Sequence, residues 1–395
     1  MQESSDFKTL PNSNKRLLIW LHLGFLLIGI ITVLLGQILP ILSRTLFLND
    51  NQAGYFFIAQ FAGSLIGVFL YNRGIKKIGH LKTLLIGFFL MSAGCLGLNS
   101  DNFTMCLSMV LLYGIGIGST IPTINMLVVE LNPAKSSSLL NLINFFWGVG
   151  AILCKPFVDF VGSTESYFLP TSILAFLLLI FGLIIGFSNI SENPVKLQIE
   201  IKPTIPIWKT STAWLIAFFN FIHIGIESSV GGWITTFENR LTDSSPWLWL
   251  SAAFVFFLMM VIGRGFAPIF LRFLSDNSLL LLNLLLMTCG AVLILQANAF
   301  LSLLLGVGFL GFGTSSVFPT NMSRFTKIFG AESARNATPL FVLGSLGGAF
   351  MTWLIGFIST VFNDLRIGFF AVLISCFILI VLQLIISRKN ISLVN

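Results

Sequence analysis

Three polar side chains share one face of a long apolar stretch near residues 211–237. Asn220, His223 and Glu227 follow at i, i+3 and i+7, which places them on one side of an α-helix. A charged side chain in an apolar layer costs at least about 2.5 to 3.5 kcal/mol, so a carboxylate there indicates a functional site. We predict that Glu227 and His223, one turn apart, bind and transfer protons. The alternative is that they only hydrogen-bond each other, or backbone groups near Gly231–Gly232.

A second polar stripe lies at residues 141–159. Its members recur at helical spacing on one face: Asn141, Asn144, Gly148, Lys155 and Asp159. Amides both donate and accept hydrogen bonds, so they suit a solute with hydroxyl groups, while an aromatic ring such as Trp147 or Trp233 can pack on its apolar side. Lys155 and Asp159 are predicted to form an internal ion pair. The alternative is that they form a gate or contact an anion.

Polar residues in other apolar stretches complete the predicted site. The predicted substrate contacts are Gln37, Asn125, Asn141, Asn144, Asn220, Trp233 and Asn321. The predicted gate or ion-pair residues are Lys155, Asp159, Lys76, Lys77 and Arg264. The sequence carries no phosphate-binding loop, metallohydrolase motif or serine-hydrolase motif, so we expect no metal, no cofactor and no enzymatic activity.

The elements that must position these residues are membrane helices. Of 395 residues, 56% are hydrophobic and 9% are charged, and the mean hydropathy is +0.94, whereas soluble domains carry about 25% charged residues. The apolar residues form runs long enough to cross a bilayer, which takes about 20 residues. We predict an all-α integral membrane protein with spans at 16–42, 51–71, 81–99, 103–129, 138–161, 166–188, 211–237, 247–271, 278–296, 299–323, 336–361 and 366–387.

Basic residues occupy alternate loops between these spans. Only Arg44, Arg240 and Arg366 fall on one side, while the other side carries basic residues from Lys8 to Lys389. Positively charged loops remain in the cytoplasm, so both termini are predicted to be cytoplasmic in the cytoplasmic (inner) membrane. The net charge of +7 thus reflects topology in the lipid bilayer and predicts no nucleic-acid partner.

A polar stretch divides the twelve spans into six and six. We predict an N-terminal six-helix bundle at 1–188, a cytoplasmic linker at 189–210 and a C-terminal six-helix bundle at 211–395. Glycines repeat between the halves and predict close helix packing: Gly67 matches Gly263, and Gly114, Gly116 and Gly118 match Gly308, Gly311 and Gly313. Breaks are predicted in spans one, four, seven and ten, at Gly36–Pro40, Gly118–Pro122, Gly225–Gly232 and Gly313–Pro319.

Two motifs resemble those of the major facilitator superfamily. The loop Asn72–Lys82 is similar to the basic motif between its second and third helices, and Gly225–Trp233 resembles the Gly-x-Glu-x-x-x-Gly-x-Trp stretch of its fucose, galactose and glucose proton symporter branch. Further similar segments are Gly36–Pro40, Asn51–Gly54, Leu140–Gly150, Gly263–Arg264, Phe318–Thr320 and Gly347–Gly348. The resemblance implies the major facilitator fold, alternating access and transport of a small polar, sugar-like solute by a monomer, with protons as candidate partners.

The sequence departs from the family pattern at coupling positions. Lys76 stands where the loop motif has an aspartate, while Gln37 and Ile121 align with acids of the branch's fucose permease. Either Glu227 carries the proton, or transport is uncoupled. Two other functions remain open: export of a drug, metabolite or siderophore, and a non-transporting receptor or assembly role on the same fold.

Overall fold

The computed structural model describes residues 12–132, 136–163, 165–188, 207–241, 250–330 and 337–394, and these residues form twelve helices long enough to span a membrane. In chain order the spans are α1 Ser13–Thr45, α2 Asp50–Tyr71, α3 Arg73–Gly97, α4 Phe103–Leu131, α5 Ser138–Val161, α6 Phe168–Gly186, α7 Ser211–Leu241, α8 Ala252–Phe270, α9 Asp276–Gln296, α10 Phe300–Phe329, α11 Thr338–Phe362 and α12 Leu365–Arg388. The twelve predicted spans are confirmed, each within several residues of its predicted bounds.

Apolar side chains cover the outer surface of the helices. Phe69, Phe176 and Phe273 are more than 60% exposed, as are other large hydrophobic residues on several helices. The shortest spans have 19 residues, or about 28 Å at 1.5 Å per residue, which approaches the roughly 30 Å of bilayer hydrocarbon. The described surface is therefore one that faces lipid.

The helices pack as two groups. Helices α1–α6 pack mainly among themselves, as do α7–α12, and the groups meet where α1 contacts α7, α2 contacts α11, and α5 contacts α8. The predicted linker at 189–210 lies mostly outside the described residues, which resume with a short 3-10 turn at Ile207–Lys209. We call the end of the molecule near Ser188 and Ile207 the linker end.

Glycines permit the closest helix contacts, as predicted from their repeat. A Cβ on Gly118 of α4 would lie 1.9 Å from the Ser64 carbonyl oxygen of α2, and one on Gly67 would lie 2.2 Å from the Ile115 oxygen. In the second half, a Cβ on Gly311 of α10 would lie 2.4 Å from the Phe256 oxygen of α8. The α2–α4 and α8–α10 pairs therefore pack in the same way, with a glycine against the backbone of the neighbouring helix.

The helix breaks predicted in α1, α4 and α7 are wrong. Pro40 and Pro122 lie inside continuous helices, and α7 is helical throughout Ser211–Leu241. Neighbouring helices can compensate for the hydrogen bonds that proline removes from a membrane helix. Only α10 is interrupted as predicted, between helical segments that end at Thr314 and resume at Val317. Near the start of α3, Gly79 is non-helical, with φ 81°, and marks a kink.

We expect Gly118→Ala to lower the thermal unfolding temperature of the detergent-purified protein, because the added methyl group meets backbone at a distance no atom can occupy. Overpacking of this kind costs about 1–3 kcal/mol. Gly265→Ala is the matched control, since no atom lies within 4 Å of its added Cβ. Equal unfolding temperatures for the two variants would contradict this packing.

Candidate functional site

A cavity of about 210 Å³ lies between the two bundles. The polar lining side chains come from α1, α2 and α7, whereas those from α4, α5 and α8 are apolar or aromatic. The lining residues are Thr32, Val33, Gly36, Phe57, Gln60, Phe61, Ser64, Ile117, Ile121, Trp147, Glu227, Ser228, Gly231, Gly232 and Phe257. The cavity is therefore amphipathic, because both hydrogen-bonding groups and aromatic rings line it.

Glu227 is the one ionisable residue among the described lining residues. Its carboxylate forms no hydrogen bond or ion pair with any residue that the structure describes. The nearby charge of Arg264 acts on it, but Arg264 donates from Nε to the Ser315 oxygen at 3.1 Å and from Nη2 to Met260 Sδ at 3.7 Å. The carboxylate is thus available to a proton or a ligand.

His223 lies one turn from Glu227 but is fully buried behind the cavity wall. Its Nε2 is 2.9 Å from the Thr314 hydroxyl and 3.3 Å from the Thr314 carbonyl oxygen. Its Nδ1 has no hydrogen-bond partner among the described residues. The predicted pair therefore shares a helix face and the field of Arg264 without a direct hydrogen bond.

Two hydrogen bonds hold the Gln60 side chain in the cavity lining. Its amide nitrogen donates to the Thr32 carbonyl oxygen at 2.9 Å, and its amide oxygen accepts from the Tyr113 hydroxyl at 3.0 Å. These bonds fix the amide between α1, α2 and α4. By contrast, the hydroxyls of Ser64 and Ser228 form no hydrogen bond within the described part of the chain, so one free hydroxyl per bundle faces the cavity.

The predicted substrate contacts lie outside this cavity lining. Gln37 is buried and accepts a 2.7 Å hydrogen bond from Thr235 that joins α1 to α7. Asn220 donates to the Leu340 oxygen at 2.9 Å, and Asn321 donates to the Ile216 oxygen at 3.3 Å, so both amides tie helices of the second bundle together. Asn125 has a buried amide oxygen without a partner among the described residues.

The two candidate tryptophans have different positions. Trp233 is fully buried and donates to the Thr352 oxygen at 2.8 Å, so its ring belongs to the core. Trp147 is partly accessible and lines the cavity. Of the two, only Trp233 was among the predicted substrate contacts, yet Trp147 is the one that lines the cavity.

One end of the cavity is sealed, and we call it the closed end. A Cβ on Gly36 would lie 2.4 Å from the Gly231 carbonyl oxygen, so the backbones of α1 and α7 touch. Beyond this contact, Arg240 donates to both carboxylate oxygens of Asp50 at 2.8 and 2.6 Å, and Ser359 also donates to Asp50. These bonds join α2 to α7 and α11. Sequence reasoning missed them because Asp50 stands at a loop boundary.

The bundles diverge from the middle of α5 towards the linker end. Gly148 lies against Val261 of α8, with 2.7 Å between its added Cβ and Val261 Cγ2. One turn closer to the linker end, Asn144 on α5 is exposed, and Gly265 on α8 faces open space. The predicted substrate contact Asn141 is exposed there too. The cavity is therefore sealed at the closed end and open at the linker end.

The predicted gate residues fall in three places. Lys155 and Asp159 form an ion pair on the α5 face that carries Gly148, and their charges act on Glu238, whose carboxylate accepts from the Ala252 amide at 3.0 Å. Arg264 lies near Glu227 but is not among the described residues that line the cavity. The remaining two, Lys76 and Lys77, are exposed. Among the described residues, no group of three histidines, cysteines or acids could hold a metal ion.

Comparison with known proteins gives a consistent match. The family model of the Major Facilitator Superfamily matches residues 21–341. The glucose/mannose transporter GlcP of Bacillus subtilis (strain 168) is 24% identical over 352 residues, covering 84% of this chain and 85% of that protein. A crystal structure of a D-xylose-proton symporter superposes with a TM-score of 0.74 at 16% identity, covering 92% of this chain and 96% of that one.

A second solved structure shares the fold more closely. It is a bacterial homolog to the human lysosomal transporter Spinster, in an inward-facing and unoccupied conformation. The TM-score is 0.78 at 14% identity, and the superposition covers 96% of this chain and 98% of that chain.

We expect Asp50→Asn to open the closed end. This variant is made in a protein that also carries Cys289→Ser and Ser228→Cys. A membrane-impermeant maleimide applied from the closed end should label the cysteine at position 228 several-fold faster once the Asp50–Arg240 ion pair is lost. Asp276→Asn is the matched control, because it removes an ion pair with Lys327 inside one bundle. Equal labelling rates for both variants would show that the Asp50 contacts do not hold the closed end.

Proposed function

Because the chain belongs to the Major Facilitator Superfamily, and is a multi-pass membrane transporter rather than an enzyme, we propose that it carries a neutral, sugar-like solute by alternating access. The amphipathic cavity is the observation that carries this proposal. A sugar ring presents hydroxyls at its edge and carbon-bound hydrogens on its faces, so Ser64, Ser228 and Glu227 suit the first and Trp147 the second. The similarity to a glucose/mannose transporter supports the same substrate class.

Alternating access is supported by the cavity's single opening. Release at the linker end needs no rearrangement, whereas loading from the other side requires the contacts of Gly36, Asp50 and Arg240 to separate. Exposed basic side chains, among them Arg73, Lys76 and Lys77, support placement of the linker end in the cytoplasm. The protein would then reside in the cytoplasmic (inner) membrane with both termini inside.

Glu227 is proposed as the proton carrier. An ionised carboxylate held in a closed cavity is costly, because the surrounding medium has a low dielectric constant. A proton bound together with the neutral sugar removes that charge before both ends of the cavity close. His223, one turn away, is proposed to share the proton. The coupling acids that Gln37 and Ile121 replace would then be unnecessary.

Glu227→Gln should abolish proton-driven accumulation of glucose in proteoliposomes, to the level of empty liposomes, while glucose counterflow persists. The amide imitates a carboxyl group that stays neutral, so the bundles still exchange positions but no proton is exchanged. Glu130→Gln serves as the control, because Glu130 pairs with His80 at 3.1 Å, away from the cavity lining. Unchanged accumulation in Glu227→Gln would refute this role.

Trp147→Phe should remove most of the fluorescence quenching that bound glucose causes. Trp233→Phe should retain it, because Trp233 is fully buried and hydrogen-bonded to Thr352. Titration of both variants with glucose checks this directly. Loss of quenching in Trp233→Phe alone would place the sugar elsewhere.

A further inference from the structure

We infer that the same cavity accepts a protonated amino sugar, whose ammonium group takes the place of the proton on Glu227. This inference rests on the proposed function and names a second substrate class for the same site. It follows from the charge of the cavity, the rings around it and the position of Arg264.

With a substrate bound, the charge of the cavity must be balanced before both of its ends can close. Among the described lining residues, Glu227 alone is ionisable, and its carboxylate has no hydrogen-bond or ion-pair partner. A carboxylate in such surroundings is neutralised either by a proton or by a cation that reaches it. A neutral sugar cannot supply the cation, whereas an amino sugar carries one in its own structure.

Aromatic rings make the cavity favourable for an ammonium group. Phe57, Phe61, Trp147 and Phe257 line it together with Glu227. The face of an aromatic ring attracts a cation, most strongly when water is displaced from the site, and tryptophan is the best of these residues. A carboxylate beside several rings is a combination that selects cations over anions. Sugars with a phosphate or carboxylate group should therefore be rejected by Glu227.

Arg264 does not already fulfil the role of that cation. Its charge acts on Glu227, but its side chain is held by the Ser315 oxygen of α10 and by Met260 Sδ one turn away on its own helix, α8. It forms no ion pair with a carboxylate of the described residues. Arg264 thus interacts electrostatically with Glu227 from outside the cavity lining. The side of the carboxylate that faces the cavity stays available to a ligand.

The consequence for transport is a change in proton stoichiometry. A neutral hexose crosses with one proton on Glu227, and an amino hexose crosses with its own ammonium on an ionised Glu227. One positive charge accompanies each substrate in both cases. Both uptakes should respond to membrane potential, but, as long as the amino hexose stays protonated on both sides, only uptake of the neutral hexose should respond to a pH gradient.

The test compares D-glucose with D-glucosamine, which differ in one hydroxyl and one amino group, in proteoliposomes of the full chain. A potassium diffusion potential, negative inside, should drive accumulation of both sugars. An acidic exterior imposed without a potential, with the pH on both sides kept well below the pKa of the glucosamine ammonium group, should drive accumulation of glucose alone. If the pH gradient drives glucosamine as it drives glucose, or if glucosamine neither enters nor competes, the inference is overturned.

Glu227→Gln provides the second measurement. Binding of glucosamine should weaken by about ten-fold or more, the usual effect of losing a hydrogen bond between charged groups, while glucose binding stays within about three-fold. Glu130→Gln should leave the ratio of the two affinities unchanged. Equal weakening for both sugars in Glu227→Gln would contradict the pairing. If neither sugar is transported by the unmodified protein, the proposed function itself fails, which is a distinct result.

Discussion

Two helix backbones touch where Gly36 of α1 meets Gly231 and Gly232 of α7, and the rest of the site depends on this contact. A side chain at Gly36 would collide with the Gly231 carbonyl oxygen, so only glycine lets the two bundles meet here. The contact seals the cavity at one end. One helical turn from this contact towards the linker end, both helices line the cavity, α1 with Thr32 and Val33 and α7 with Glu227 and Ser228. Equivalent helices of the two halves thus contribute a seal and, next to it, a binding surface.

The carboxylate of Glu227, which has no hydrogen-bond or ion-pair partner among the described residues, is central to the proposed function. By contrast, several other charged side chains of the described helices have partners: partly exposed Asp50 pairs with exposed Arg240, Lys155 pairs with Asp159, and Arg324 donates to the amide oxygens of Asn321 and Gln383. A charge without a partner inside a membrane protein costs free energy. Its presence indicates a transient partner that arrives with the substrate. The proposed symport and the inferred amino-sugar uptake are two ways of providing that partner.

The sequence predicted the architecture well because hydropathy and glycine spacing are local signals. Twelve apolar runs and the repeated glycines of α4 and α10 each describe one helix and its immediate neighbour. Glu227 was found for the same reason, since a lone acid in an apolar run is conspicuous.

The remaining site residues depend on contacts between distant parts of the chain. Asp50 and Arg240 are separated by 190 positions, and nothing near either residue reveals the pairing. Asn220 and Asn321 were assigned to the substrate as intramembrane amides, yet the same chemistry also serves to tie helices together. Ser64 and Ser228 carry no charge and are common in membrane helices, so only their position at the cavity distinguishes them.

Distances across the two ends of the molecule test alternating access most directly. Spin labels at Phe160 and Val361 report on the closed end, and labels at Lys77 and Phe273 report on the linker end, since all four side chains are exposed. With glucose at acidic pH, pulsed electron paramagnetic resonance should reveal a population whose closed-end distance lengthens while its linker-end distance shortens. Distances that stay fixed at both ends, or that lengthen together, would contradict alternating access around this cavity.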